Sequence, residues 1–128
     1  MTEHLLTRGE LEVMAVVWNN PPVTVNDISE SIDRELGYTS VLSTVQILEE
    51  KAFVRRVGKR GRALLYEPAV SREDVRQSMA GDLTERLFEG SARSLVLSLL
   101  DTGSLTREDL DAVRKTIRAM EKRSENSP

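Results

Sequence analysis

The sequence predicts a mainly α-helical chain carrying one small β-hairpin, and three observations predict it. Apolar residues recur at three- and four-residue steps along most of the chain. One stretch alone, from Phe53 to Glu67, carries strand-type residues on both sides of a turn bracketed by Gly58 and Gly61. Five aromatic residues in 128 are too few for a large all-β core.

Taken in order, Met1 to Leu6 is a lead-in. Thr7-Arg8-Gly9-Glu10 matches a capping box, with Thr7 at N-cap and Glu10 at N3. Leu11, Met14, Ala15 and Trp18 follow at helical spacing, so a first helix is expected from Arg8 to Asn19, stopped by Asn19-Asn20-Pro21-Pro22. Val23 is placed to form a short extended piece. Thr24 to Asp27 repeats the capping signal, and Ile28, Ile32 and Leu36 predict a second helix from Val25 to Glu35, ended by Gly37. A third helix follows from Thr39 to Lys51. Phe53–Val57 and Ala63–Glu67 read as strands, with Lys59 and Arg60 in the turn and Pro68 closing the second strand. Two helices joined by a tight break, the second running into a hairpin, make a winged helix-turn-helix.

The composition shifts at Ser71. Ser71 to Asp74 is a capping motif, and Val75, Met79, Leu83 and Leu87 mark one face of a helix from Arg72 to Phe88. Leu95, Val96, Leu99 and Leu100 mark a short apolar helix. Thr106 caps the last helix, with Asp109 at N3 and Leu110, Val113, Ile117 and Met120 on one face; Glu121 to Pro128 is a polar tail. The expected division is a winged-helix domain over residues 1–70 and a helical region over 71–128. The narrow apolar stripes of the second part cannot bury enough surface alone. A second copy of the chain is the simplest cover, through Val75, Met79, Leu83, Leu87, Leu95, Val96, Leu99, Leu110, Val113 and Ile117. A dimer also suits paired half-sites on DNA.

Charge points to the partner. Lys51, Arg55, Arg56, Lys59, Arg60 and Arg62 fall within sixteen residues that hold no Asp or Glu, in a chain whose formal charge is -3. A basic hairpin directly after a helix suits a helix in a groove and a wing on the phosphate backbone. At about 100° per residue, Val41, Val45, Leu48 and Ala52 face inward with Leu42 beside them. The opposite face carries Ser40, Ser43, Thr44, Ile47 and Lys51. Its small hydroxyl side chains suit base edges, and the Thr methyls and Ile47 suit thymine methyls. The helix start near Thr39 offers amides to a phosphate. Arg55, Lys59, Arg60 and Arg62 complete the expected DNA-contacting set.

Other chemistry lacks its parts. With no cysteine there are no disulfides, thiolate metal sites or Cys nucleophiles. His4 is the only histidine, so zinc sites and His-based triads are not expected. Gly58 to Arg62 lacks P-loop spacing. Glu73, Asp74, Asp82 and Glu85 lie beside Arg72, Arg76 and Arg86 and read as surface ion pairs. Trp18 and Tyr66 read as packing. No enzyme, metal or cofactor is expected. No apolar run is long enough to span a bilayer and no leader is apparent, so a cytoplasmic protein is expected.

The residues resemble the BlaI/MecI family of penicillinase repressors over nearly the whole chain. Leu6-Thr7-x-x-Glu10-Leu11-Glu12-Val13-Met14 with Trp18 resembles the family's opening helix. Tyr38 to Ser43, followed by Leu48, Glu50-Lys51 and Val54, resembles its recognition helix and exit. Arg62-Ala63-x-x-Tyr66-x-Pro68 to Glu73 resembles the second wing strand and junction. Leu87-Phe88-x-Gly90-Ser91 and Ser94-Leu95-Val96 resemble the start of its dimerisation region. The resemblance implies a homodimeric winged-helix repressor on a palindromic operator. It also implies release by an inducing signal, which in the family can be cleavage triggered by a membrane sensor-protease. The chain departs from the family at Ile47, often Arg there, and at Ala52, often Gly. The Asn-Phe cleavage pair of staphylococcal members falls on Ser98-Leu99, and the cysteines of copper-responsive relatives are missing. Two other readings are a winged-helix protein-interaction module and a repressor that responds to a small molecule.

Overall fold

The structure is a computed structural model and describes residues 5–32 and 36–125. Among these, α1 spans Arg8–Asn19, α2 Val25–Ser31, α3 Tyr38–Glu50, β1 Val54–Arg60, β2 Ala63–Pro68, α4 Arg72–Leu87, α5 Ala92–Asp101 and α6 Arg107–Glu125. The chain forms two compact units, Met1–Leu83 and Thr84–Pro128.

Both expected capping boxes form. Thr7 Oγ1 accepts from the Glu10 amide at 3.2 Å while Glu10 Oε1 accepts from the Thr7 amide at 2.8 Å. Thr24 and Asp27 do the same at the start of α2, each at 3.0 Å. The buried face of α1 consists of Val13, Met14 and Val17. Of the expected stripe only Met14 is central: Leu11 and Trp18 are half-buried and Ala15 is exposed. The α2 helix is shorter than its expected span. It stops at Ser31, whose hydroxyl donates to the Asp27 carbonyl at 2.8 Å, and Ile32 turns extended (φ -79°, ψ 130°). Ile32 and Leu36 still pack on the core, so their apolar spacing did not require the helix to continue. Residues 33–35, the expected end of the helix, lie outside the described residues, as does His4.

Val41, Val45 and Leu48 of α3 are essentially inaccessible, with Ile28, Phe53, Val54 and Tyr66 against them. The helix ends in a Schellman arrangement. The Phe53 amide reaches the Leu48 carbonyl at 2.8 Å and the Ala52 amide the Glu49 carbonyl at 3.0 Å. This puts Ala52 at φ +65°, exposed and out of the inward stripe expected for it. A left-handed alanine carries a steric cost of about 1–2 kcal/mol, which glycine avoids at an entropic cost of about 0.4–1 kcal/mol. Ala52→Gly should therefore stabilise the chain by about 0.5–1 kcal/mol, seen as a rise of a few degrees in the thermal midpoint.

The wing is an antiparallel pair, and its turn differs from expectation. Arg60 pairs with Ala63, so the turn is Gly61-Arg62. Gly61 takes φ +64° at the first central position, which suits a two-residue hairpin of type II′. Gly58 instead follows a bulge: Arg56 faces Tyr66 and Gly58 faces Leu65, leaving Val57 as the extra residue. Both strands are longer than their apolar cores suggested, because a polar strand tip is held by backbone pairing. Val23 forms the expected extended piece, exchanging hydrogen bonds with Tyr66 at 2.9 and 2.8 Å.

The first unit runs past Val70, where the sequence placed the boundary. Trp18 Nε1 donates to the Val70 carbonyl at 3.0 Å, Arg72 stacks over the Trp18 ring at 5.3 Å, and Val75 is 2% exposed in the core. The start of α4 is thus part of the winged-helix body.

In the second unit, Ser91 caps α5 and a Thr106–Asp109 capping box starts α6. Neither helix has a buried residue. Val96, Leu97, Leu99, Leu100, Leu110, Ile117 and Met120 are all exposed.

Candidate nucleic-acid interface

Three turns of α3 face outward with small side chains. Thr39, Ser40, Ser43 and Ile47 are exposed and Thr44 is half-buried, its hydroxyl donating to the Ser40 carbonyl at 3.0 Å. That bond commits the Thr44 proton and leaves its lone pairs and methyl for a ligand. Gln46 is exposed on the same side and was missed by sequence reasoning. The signal lay in the wheel, since Gln46 neighbours Ser43 and Glu50 opposite the buried stripe, and glutamine can pair bidentately with adenine. Tyr38 is 53% exposed at the helix start. The N-terminus of α3 has Gly37 as N-cap with no side-chain cap; the Ser40 amide donates to the Gly37 carbonyl at 3.0 Å, so the Tyr38 and Thr39 amides are the ones placed for an outside acceptor.

The basic residues divide into two sets. Four are paired to carboxylates that the sequence reading did not connect with them. Lys51 Nζ meets Glu10 Oε2 at 2.8 Å, Arg55 Nε meets Glu67 Oε1 at 2.6 Å, Arg56 Nε meets Glu49 Oε2 at 2.7 Å, and Arg60 Nη1 meets Asp27 Oδ2 at 2.9 Å. The other two, Lys59 near the end of β1 and Arg62 in the hairpin turn itself, are exposed and make no ion pair among the described residues. Hairpin register would have predicted Arg55 opposite Glu67. Asp27 was read only as a cap, and nothing local in the sequence links it to Arg60.

The four pairs are not equivalent. The Glu10 side chain is 7% exposed and is also fixed by the capping box. Removing Lys51 would leave that carboxylate without its cation, at a cost of about 1–2 kcal/mol, since the lysine itself is 44% exposed and Glu10 keeps the Thr7 amide. Lys51 therefore pins α1 to the end of α3. The carboxylates of Asp27, Glu49 and Glu67 are about a third exposed and their arginines more than half exposed. Such surface pairs contribute only about 0–1 kcal/mol.

Burial pushes the Glu10 carboxyl up, but the Lys51 ammonium and the Thr7 backbone amide and hydroxyl together hold it below its ordinary 4.5. The Thr24 backbone amide, against a smaller burial effect and helped by Arg60, holds Asp27 below its ordinary 3.8. The Glu49 carboxylate keeps the Arg56 guanidinium more firmly charged. Both lowered carboxyls bind fewer protons folded than unfolded as pH falls. Their contribution to stability is complete above about pH 5 and is lost as pH drops through the lowered folded values. The thermal midpoint should fall below about pH 4, and Glu10→Gln should flatten that acid limb.

A sequence profile described as Penicillinase repressor matches residues 6–119. The chain belongs to the penicillinase repressor family. It is therefore a DNA-binding transcriptional repressor of the BlaI/MecI type and not an enzyme. It is 28% identical over 130 residues to the transcriptional regulator BlaI of Mycobacterium tuberculosis (strain CDC 1551 / Oshkosh), covering 96% of this chain and 92% of that protein. It is 22% identical over 107 residues to the penicillinase repressor of Bacillus licheniformis, covering 83% of this chain and 84% of that protein. Among solved structures it is similar to wild-type MarR from E. coli in its apo form, with a TM-score of 0.50, 14% identity, and coverage of 93% of this chain and 84% of that one. A mutant of the same E. coli regulator gives a TM-score of 0.51 at 14% identity, covering 93% and 83%. These likenesses bear on the fold, a winged helix. No helix of this repressor among the described residues is long and apolar enough to cross a membrane.

Proposed function

We propose that this repressor acts in the cytoplasm as a homodimer on a palindromic operator, with α3 in the major groove and the wing on the adjoining backbone. The observation that carries the reading is the pairing of a small-residue face on α3 with a hairpin whose tip holds two cations that make no ion pair among the described residues. Ser40, Ser43, Gln46 and Ile47 supply base contacts, the Thr39 hydroxyl and the Tyr38 and Thr39 amides a phosphate contact, and Lys59 and Arg62 the wing's grip. Arg55 and Arg60 each start with one nitrogen on a carboxylate and so meet a phosphate with their charge partly offset. Ser43→Ala and Gln46→Ala should each shift preference at particular bases by about 1–3 kcal/mol and leave the salt dependence unchanged, in competition binding with base-substituted duplexes.

Leu83, Leu87, Leu95, Val96, Leu99, Leu110, Val113 and Ile117 form the dimer contact, with Val75 removed from the expected set and Met79 only at its margin. The support is the exposure of so many large apolar side chains in a unit with no buried core of its own. Release follows an inducing signal. If a sensor-protease cuts at Ser98-Leu99, α5 must first open locally, because that pair lies inside it and a protease needs extended backbone.

A second reading of the signal has one observation behind it. Leu11, Ala15, Trp18, Val75 and Met79 line a groove of about 490 Å³, with Arg72 and Arg76 at its rim, Arg76 lying 3.8 Å from the Glu73 carboxylate. That lining suits a small apolar carboxylate as inducer. Salicylate titration should quench Trp18 fluorescence and weaken DNA binding; unchanged fluorescence up to millimolar ligand removes this reading.

A further inference from the structure

The three exposed ion pairs do more than hold the wing. Each joins a wing arginine to a carboxylate on a different element: Arg55 to Glu67 on β2, Arg56 to Glu49 on α3, and Arg60 to Asp27 on α2. Glu49 takes Arg56 by a two-bond fork, Nε to Oε2 at 2.7 Å and Nη2 to Oε1 at 3.1 Å, whereas Arg55 and Arg60 each give one nitrogen, so there the carboxylate acts by offsetting the charge a phosphate would meet. We propose that Asp27, Glu49 and Glu67 are internal phosphate mimics that suppress binding to non-operator DNA. This rests on the DNA-binding reading above and extends it to residues that do not themselves touch DNA.

The mechanism is an exchange. In the free protein the three arginines are neutralised, so a passing duplex meets chiefly Lys59 and Arg62. An arginine then moves from carboxylate to phosphate only if a phosphate is held at the right place long enough. Docking of α3 in its operator groove provides that placement, and a random duplex bound through the wing tip does not. The exposure of both partners makes the exchange feasible for these three pairs. Glu10 is buried, so Lys51 stays where it is. The carboxylates are thus specificity-determining residues: they cost affinity wherever an arginine is needed, and they cost most where placement is poor.

Two substitutions isolate the effect. Glu67→Gln removes one carboxylate from a strand that pairs through its backbone. Asp27→Asn removes another and keeps a side-chain oxygen for the Thr24 amide it caps. The double variant and the parent repressor are compared by fluorescence anisotropy across a salt series. The probes are a duplex from the promoter of the repressor's own gene and a random-sequence duplex of equal length. The random duplex should bind the double variant about tenfold more tightly at ~0.1 M salt, with the slope of log affinity against log salt steeper by about 2. The promoter duplex should gain less, with its slope unchanged, so the ratio of specific to random affinity falls. A thermal melt confirms that both proteins are folded. If the random-duplex slope stays the same, or both duplexes gain equally, the carboxylates are structural ties and the proposal fails. If neither protein binds either duplex at low salt, the DNA-binding reading itself fails and takes this proposal with it.

Discussion

A chain ending at Leu83 should fold, remain monomeric, and bind an operator about a thousandfold more weakly than the full chain. Linking two half-site readers makes the second contact intramolecular, and such linkage raises affinity by about 10²–10⁴ without any new contact. On the proposed reading the second unit supplies that link, because α5 and α6 hold no buried residue. The choice of end point matters. A chain ending at Val70 also loses Val75 from the core and Arg72 from the Trp18 ring. Burial of a valine is worth about 1.5–2 kcal/mol, so the shorter piece should melt well below the longer one. Sedimentation, melting and anisotropy on the two truncations check all three statements. A dimer from residues 1–83 would refute this division of labour.

Replacing Lys59 and Arg62 together by alanine should lower affinity for every duplex by about a hundredfold, at roughly tenfold for each charged phosphate contact. The loss should be nearly uniform across sequences, and the salt slope should become shallower by about 2. The same double change should leave the melt within about 0.5 kcal/mol of the parent, because both side chains are exposed and unpaired among the described residues. Arg55→Ala or Arg60→Ala should cost less on random DNA than Lys59→Ala does, since each arginine starts on a carboxylate. The six-residue basic block therefore overstates the charge that DNA meets first.

Periodicity and capping carried most of the fold. The boxes at Thr7 and Thr24 set the starts of α1 and α2, and the spacing of Val41, Val45 and Leu48 set the face of α3. What escaped was decided by contacts distant in sequence or by backbone register and helix-end geometry. Val75 reads as the first position of a dimer stripe, and only the approach of α4 to α1 makes it core. Gly58 and Gly61 look alike in the sequence, but one follows a bulge and the other opens the turn, a matter of register that composition does not encode. Ala52 sits where a helical wheel points inward, yet the chain has already turned left-handed there. The site was legible to the same degree. The small-residue face and the basic wing were visible as patterns, whereas Asp27 reaches Arg60 across thirty-three residues and no local rule joins them.

The central claim is that α3 and the wing of two copies read a symmetric operator. A hydroxyl-radical footprint on the promoter of the repressor's own gene, at ~50 mM salt where phosphate contacts are strongest, tests it most directly. Two protected half-sites related by a dyad, spaced by about one or two helical turns, are the predicted result. An unprotected promoter at that salt would contradict it and would leave the α3 face and wing as a surface for another protein.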